Sequence, residues 1–160
     1  MIGQARTMNI RLGPKAIEAG LASDRGFGGY LSERMTRLLK QAGDADPCYA
    51  FMVEASPVHD LHVHGIICSP ISDLKKVLAD VGREIEMPKE RQVVVAPVYD
   101  MVGWARYIAK APLVTAQALA DARRRAGLED RNDGLVGASL KLRRSGKDWY
   151  QSARMSSSGL

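Results

Sequence analysis

Two runs rich in β-forming residues, CYAFMVEA (Cys48–Ala55) and LHVHGIICS (Leu61–Ser69), decide how we interpret this chain. Valine, isoleucine, phenylalanine and tyrosine favour strands, and each run has the length of a typical strand. Ser56-Pro57 interrupts the pattern, and the few residues that follow are typical of a turn between neighbouring strands. We therefore predict that the two runs pair as a β-hairpin.

Weaker patterns on both sides of the hairpin predict alternating strands and helices. Before the hairpin, we expect a strand at Met8–Leu12 that ends at Gly13-Pro14, a flexible loop containing Gly26, Gly28 and Gly29, and a helix over Tyr30–Gln41. After it, we expect a helix at Asp73–Val81, a buried strand at Gln92–Tyr99, a helix at Asp100–Ala111, further helices and a late strand near Leu135–Leu142.

This order predicts an α+β protein with the ferredoxin-like, RRM-like arrangement β-α-β-β-α-β. Such a fold has a central antiparallel sheet with two helices on one face. The chain has 160 residues, which suits one domain, and we assign residues 1–154 to it. Residues 155–160 are rich in serine, and we expect them to be a disordered tail.

The composition narrows the class of protein. Hydrophobic residues make up 46% of the chain, enough for a buried core, and Cys48 and Cys68 are too few for a disulfide framework. We find no apolar run of membrane-spanning length and no secretory signal pattern. The expectation is a soluble cytoplasmic protein that does not associate with a membrane.

Positive charge is concentrated in the last quarter of the sequence. The chain carries a net charge of +5, and residues 123–160 alone hold nine basic and four acidic side chains. A cationic flank attracts polyanions, above all nucleic acid, although a solvated helix face has the same composition. The predicted nucleic-acid contacts in this region are Arg123, Arg124, Arg125, Lys141, Arg143 and Arg144.

The three histidines of the chain, His59, His62 and His64, fall within six residues. Side chains alternate along a strand, so His62 and His64 point to the same face. Glu54, on the other arm of the hairpin, reaches that face if it pairs opposite His62 or diagonally to His64. Two imidazoles and a carboxylate form a set of ligands for a divalent metal, whereas an isolated His-x-His is ordinary polar alternation.

A tyrosine and a lysine share one face of the helix predicted after the valine-rich strand. Tyr107 and Lys110 are three residues apart, and Trp104 belongs to the apolar stripe that would dock this helix on the sheet. A tyrosine hydroxyl beside a metal can attack phosphorus, and a lysine can offset the added negative charge. A core or interfacial aromatic side chain is the alternative role for Tyr107.

Together these motifs resemble a known group of enzymes. Leu61-His62-Val63-His64-Gly65-Ile66 resembles the His-hydrophobic-His motif of the HUH endonucleases. Tyr107-Ile108-Ala109-Lys110 is similar to the Y-x-x-K motif of their single-tyrosine replication-initiator (Rep) branch. The resemblance covers residues 8–111.

The resemblance implies a reaction and its partners. Mg²⁺ or Mn²⁺ would be held by Glu54, His62 and His64, and Tyr107 would attack single-stranded DNA or an origin hairpin, leaving a 5′-phosphotyrosine and a free 3′-hydroxyl. Such nicking and joining initiates rolling-circle replication of a plasmid or phage. We expect His59 and Arg106 to contact nucleic acid. Because Ser145-Gly146-Lys147-Asp148 lacks the glycine spacing of an ATPase loop, unwinding would need a separate helicase.

Two other functions fit parts of the pattern. The stretch from His62 to Leu74 is also similar to the single-tyrosine transposases of the same superfamily, although Lys110 favours an initiator. A non-catalytic nucleic-acid-binding module of ferredoxin-like fold would instead stack bases on exposed aromatic side chains. Only Tyr49 and Phe51 are placed for that role in the predicted central strands.

Overall fold

A computed structural model of the chain describes residues 5–56, 60–82, 93–108, 112–129, 131 and 133–157. These residues form five strands and six helices, which confirms the predicted α+β class. The strands are β1 Ala5–Arg11, β2 Cys48–Ser56, β3 Asp60–Cys68, β4 Val93–Pro97 and β5 Val136–Ala138. The helices are α1 Pro14–Ala22, α2 Gly26–Gln41, α3 Leu74–Gly82, α4 Met101–Ile108, α5 Pro112–Arg125 and α6 Leu140–Ser157.

The strands form one antiparallel sheet in the order β4-β1-β3-β2-β5. β2 and β3 pair along their whole length, so the predicted hairpin is confirmed, with Cys48 opposite Cys68 at one end and Glu54 opposite His62 near the other. β1 lies on the far side of β3, which makes β3 the central strand. This order is compatible with a ferredoxin-like fold, to which β5 adds a fifth strand at the edge of β2.

One face of the sheet is apolar and carries the core. Alternate residues of the three central strands are buried with the apolar stripe of α2 and with residues of α1 and α3; among the fully buried are Met8, Ile10, Val53, Val63, Leu31, Met35 and Leu78. Gly65 also belongs to this face. A Cβ atom there would lie 2.5 Å from the Ala50 carbonyl oxygen and from Met8 Cε. Glycine at this position, directly after His64, therefore allows β3 to pack closely against Met8 and the main chain of β2.

The predicted glycine loop is wrong, because Gly26, Gly28 and Gly29 begin helix α2. Asp133, far along the chain, accepts a hydrogen bond from the Phe27 amide at its Oδ1 (3.2 Å), and its carbonyl accepts one from the Gly28 amide (3.2 Å). A Cβ at Gly28 would lie 2.6 Å from the Gly134 carbonyl oxygen. These glycines thus allow close contact with a distant loop, which supplies the helix cap that the local sequence lacks.

Helix α1 is absent from the prediction, which assigns Gly13-Pro14 only as the end of a strand. Pro14 is instead the first helical residue, where its missing N–H leaves nothing unpaired. The Gly13 amide donates to the Gly82 carbonyl at 3.0 Å, which joins the start of α1 to the end of α3.

The C-terminal prediction needs two corrections. The late strand is short, and Leu140–Leu142 begins α6 instead, with Ser139 Oγ accepting a hydrogen bond from the Leu142 amide at 3.3 Å. That helix continues to Ser157, three residues into the expected tail, because extending an existing helix costs far less than starting one. Residues 158–160 lie outside the described part of the chain.

Candidate active site

The hairpin brings Glu54, His62 and His64 together on the face of the sheet opposite the core. Glu54 Oε2 lies 3.1 Å from His64 Nε2 and 3.8 Å from His62 Nε2, and the two imidazole centroids are 4.5 Å apart. All three residues are buried, with exposed fractions of 9%, 6% and 4%. The pairing of Glu54 with His62 produces this geometry, because cross-strand partners share a face.

These three residues could hold a metal ion. One ligand atom from each lies within 4.8 Å of the others, so a single cation between them can contact two nitrogens and one oxygen. A buried carboxylate needs a cation or strong hydrogen bonds, and a divalent ion would supply the first. Three protein ligands leave coordination positions open, as a metal that acts on a substrate requires.

Strand β1 adds polar residues that the sequence prediction omits from the site. Asn9 is paired with His64 and Arg11 with His62, so both belong to the face that carries the histidines. The Met8–Leu12 pattern already predicted a strand there, and its alternation separates Asn9 and Arg11 from the core residues Met8 and Ile10. What the sequence could not supply was the register between β1 and β3.

Helix α4 places an aromatic pair beside the histidines. The Tyr107 ring lies 5.6 Å from the His64 ring, centroid to centroid, and is stacked on Trp104 at 5.3 Å with an interplanar angle of 22°. Trp104 is 6.0 Å from His64, and its indole N–H donates to the Gly65 carbonyl at 3.2 Å. Because Tyr107 is 45% exposed, a substrate in solvent can approach its side chain.

Trp104 therefore connects the helix that carries Tyr107 to the strand that carries the histidines. If Tyr107 is the nucleophile that the sequence motifs predict, Trp104→Ala should slow covalent capture of saturating single-stranded DNA by about 10²-fold, because a small displacement of a reacting group has that cost. Trp104→Phe keeps the stack but loses the hydrogen bond, so a smaller reduction is expected. The measurement is the rate of adduct formation alongside DNA affinity, which should stay unchanged.

A neighbouring position provides the control for that comparison. Val102 lies on the same helix and is exposed, so Val102→Ala should react at the wild-type rate. Equal rates for Trp104→Ala and the wild type would show that Trp104 does not position Tyr107.

Six further predicted site residues lie either outside the described part of the chain or on its surface. His59 and Lys110 lie outside the described residues. Arg106, Arg125, Arg143 and Arg144 are exposed, as nucleic-acid contacts must be.

Two other predicted contacts have acidic partners within the chain. Arg124 forms an ion pair with Asp121, and its hydrogen bond lowers the pKa of that carboxyl. Lys141 lies 3.2 Å from Asp46, whose hydrogen bond raises the pKa of the lysine. Nucleic acid would have to compete with these carboxylates.

The prediction that Arg123 contacts nucleic acid is wrong, because this side chain is only 4% exposed. Its guanidinium donates to the Leu21 carbonyl at 2.6 Å and to the Glu129 carbonyl at 2.7 Å, and Nη1 lies 3.5 Å from Asp133 Oδ1. Arg123 thus joins α1, α5 and the loop that caps α2. The sequence alone does not distinguish the buried Arg123 from the two exposed arginines beside it, because the three residues differ only in their positions on the helix.

Removing Arg123 should therefore destabilise the protein. We expect Arg123→Ala to lower the free energy of unfolding by about 2–4 kcal/mol, since Asp133 would keep only Arg131 as a cationic partner among the described residues and the Leu21 and Glu129 carbonyls would lose a donor. The exposed Arg125 is the control, and Arg125→Ala should change stability by less than about 0.5 kcal/mol. Denaturant titration measures both, and equal stabilities of the two variants would contradict this role.

The two cysteines lie at the opposite end of the hairpin from the histidines. Burial raises the pKa of the Cys48 thiol, and the neighbouring Cys68 raises it further. Among the described residues, the cluster with metal-ligand spacing is made by Glu54, His62 and His64 and includes neither cysteine.

Comparison of the chain with protein-family models, curated proteins and solved structures found no match. In the described part of the chain, none of the helices combines the length and the apolar character needed to cross a membrane.

Proposed function

We propose that this protein is a metal-dependent endonuclease and strand transferase that nicks and rejoins single-stranded DNA through Tyr107. One observation carries the proposal. The half-exposed ring of Tyr107 lies 5.6 Å from the ring of His64, and His64 belongs to the buried group of two histidines and a carboxylate. A metal site alone fits many reactions. A solvent-accessible phenol beside it favours nucleophilic attack on phosphorus.

The proposed reaction uses the three metal ligands and the hydroxyl group of Tyr107. Glu54, His62 and His64 would hold Mg²⁺ or Mn²⁺, which polarises phosphoryl oxygens when bound. The Tyr107 oxygen attacks the scissile phosphorus, the bond from phosphorus to the 3′ oxygen breaks, and the product is a 5′-phosphotyrosine with a free 3′-hydroxyl. The phenolic proton passes to water and the leaving oxygen takes a proton from water. Attack by a 3′-hydroxyl reverses the step and rejoins the strand.

The structure gives little support to a module that only binds nucleic acid by stacking. Tyr49 and Phe51, the two aromatic residues available for that role, are each 1% exposed and belong to the core face of the sheet. Their rings cannot stack on bases without unfolding the core. The aromatic residues beside the polar face are Trp104 and Tyr107, next to the metal ligands.

Finer parts of the proposal follow from the sequence motifs. We assign the chain to a ferredoxin-like fold in which α4 carries the nucleophile, and to initiation of rolling-circle replication. Single-stranded DNA or an origin hairpin is the substrate, and a separate helicase unwinds the duplex. Lys110 would offset negative charge on the phosphate, in keeping with its place three residues after Tyr107.

Covalent capture of DNA tests the proposal directly. The protein is incubated with Mn²⁺ and a labelled pool of random-sequence single strands, then separated in denaturant. We expect an adduct that survives denaturation, is absent when a chelator is added, and is released by phosphodiesterase. Strands labelled at the 3′ end should transfer their label to the protein, whereas strands labelled at the 5′ end should leave it on the released fragment. The reverse pattern would contradict the 5′-phosphotyrosine. Absence of any adduct across pools would contradict the proposed activity.

A further inference from the structure

A groove of about 1160 Å³ runs between helix α2 and the junction of β5 with α6. We call it the α2–β5 groove. It lies at the outer edge of the sheet, because β5 is the last strand beyond β2. The metal ligands do not line it, so this groove is separate from the candidate active site.

The groove is strongly basic. Its lining includes five cationic and two acidic side chains, a surplus of three in a chain whose net charge is +5. Each acid is matched by a cation of the groove, Glu33 by Arg25 at 3.4 Å and Asp46 by Lys141 at 3.2 Å. The surplus therefore consists of three exposed side chains with no ion pair among the described residues, namely Arg37, Lys40 and Arg143.

The main chain of β5 adds hydrogen-bond donors to the same wall. Leu135 accepts from the Val53 amide and the Ser139 amide donates to Tyr49, so these residues face β2. By the alternation of an antiparallel ladder, the amides of Val136 and Ala138 point away from β2, and both residues line the groove. Arginine, lysine and main-chain N–H groups are the usual donors to the phosphates of nucleic acids.

A row of paired residues connects the groove to the metal ligands. Val136 is paired with Met52, and Met52 with His64. Neighbouring strands are about 4.8 Å apart, so two steps place Val136 roughly 10 Å from His64. Because α2 lies on the core side of the sheet and the metal ligands lie on the other side, the strand would pass around the edge at the exposed Val136. At about 3.4 Å per nucleotide, this path takes at least about three nucleotides.

We infer that the α2–β5 groove binds the phosphates of the single-stranded DNA that extends from the scissile bond, and so supplies affinity for the substrate. This inference rests on the proposed function, since it takes the strand at the metal ligands as its starting point. It differs from the sequence-based expectation, which assigned the affinity to the C-terminal basic residues. Two of the three surplus cations lie on α2, in the first third of the chain.

The test compares two charge-matched triple variants of the full chain. The groove variant is Arg37→Gln/Lys40→Gln/Arg143→Gln. The control variant is Lys15→Gln/Lys75→Gln/Lys76→Gln, which removes three exposed cations from α1 and α3. The affinity for fluorescent oligo(dT) of 8 and 24 nucleotides is measured by anisotropy between 50 and 300 mM salt, with a chelator present to prevent cleavage.

The groove variant should bind the longer oligonucleotide at least about tenfold more weakly at the lowest salt. The slope of log affinity against log salt should fall by about 2, the value for three lost phosphate contacts on a single strand. The control variant should change the slope by less than half as much. Arg143→Gln alone should lower it by about 0.7, which keeps the test valid if the triple variant does not fold.

Equal losses in the two triple variants would overturn the inference, because net charge alone would then explain binding. An unchanged affinity of the groove variant would also overturn it. Neither result affects the proposed function, which depends on whether the wild-type protein forms a covalent adduct. Conversely, the two triple variants can differ in slope even where the wild-type protein forms no adduct. That result would support the groove as a nucleic-acid-binding site and contradict the proposed endonuclease activity.

Discussion

Replacing Tyr107 with phenylalanine should abolish covalent capture of DNA while single-stranded DNA still binds within about twofold of the wild-type affinity. The substitution removes one oxygen and keeps the ring, so the stack on Trp104 and the contact with His64 can both persist. Loss of a nucleophile lowers turnover by at least about 10³-fold, because the remaining groups can only orient the substrate. Adduct yield and anisotropy on the same oligonucleotide pool measure the two effects.

Tyr99 supplies a matched control for this substitution. It is 91% exposed, lies before α4 and takes no part in the ring contacts around His64. Tyr99→Phe should form adduct at the wild-type level. Wild-type yield from Tyr107→Phe would assign the covalent step to another side chain, and peptide mapping of the adduct would then identify it.

Replacing Glu54 with glutamine should remove most of the affinity for divalent metal. The carboxylate oxygen lies 3.1 and 3.8 Å from the two histidine nitrogens, so replacing it with an amide would leave a cation without its anionic ligand. Wild-type protein in metal at 100 times its Kd should gain about 2.7 kcal/mol in the free energy of unfolding, and Glu54→Gln should gain almost none. Calorimetric titration with Mn²⁺ and denaturant unfolding with and without the metal measure this difference.

The same variant should lose adduct formation to the level seen with a chelator. Glu18→Gln, which changes an exposed carboxylate on α1 outside both the metal cluster and the groove, should match the wild type in metal affinity and adduct yield. If neither Mn²⁺ nor Mg²⁺ stabilises the wild-type protein, the three buried residues do not hold these ions. The proposed metal-dependent reaction would then be contradicted as well.

Local sequence was enough to predict the hairpin and the residues that meet on it. The period of two places His62 and His64 on one face. Only three residues separate the ends of β2 and β3, which leaves few registers in which Glu54 can join them. Tyr107 lies close to these residues because α4 follows β4 and Trp104 contacts Gly65. The sequence indicates the helix and its apolar stripe but not that hydrogen bond.

Long-range contacts account for what could not be predicted. Helix α2 begins at Gly26 because Asp133, more than one hundred residues later, accepts from its first turn. Arg123 is buried by the same loop, whereas Arg125, two residues further along the same helix, is exposed. Composition and periodicity do not distinguish Arg123 from Arg125, because Asp133, the partner of Arg123, comes close to it only when the chain folds.

Asp133 also limits how this protein can be divided. Its carboxylate receives Arg123 and Arg131 at 3.5 and 3.2 Å and the amide of Phe27, so it ties an early helix to the final third of the chain. The basic C-terminal region is consequently not a modular arm that can be deleted to isolate a minimal form of the proposed nuclease. A fragment ending at residue 129 would lack this anchor, and its inactivity would report a damaged scaffold, not the loss of a DNA-binding appendage.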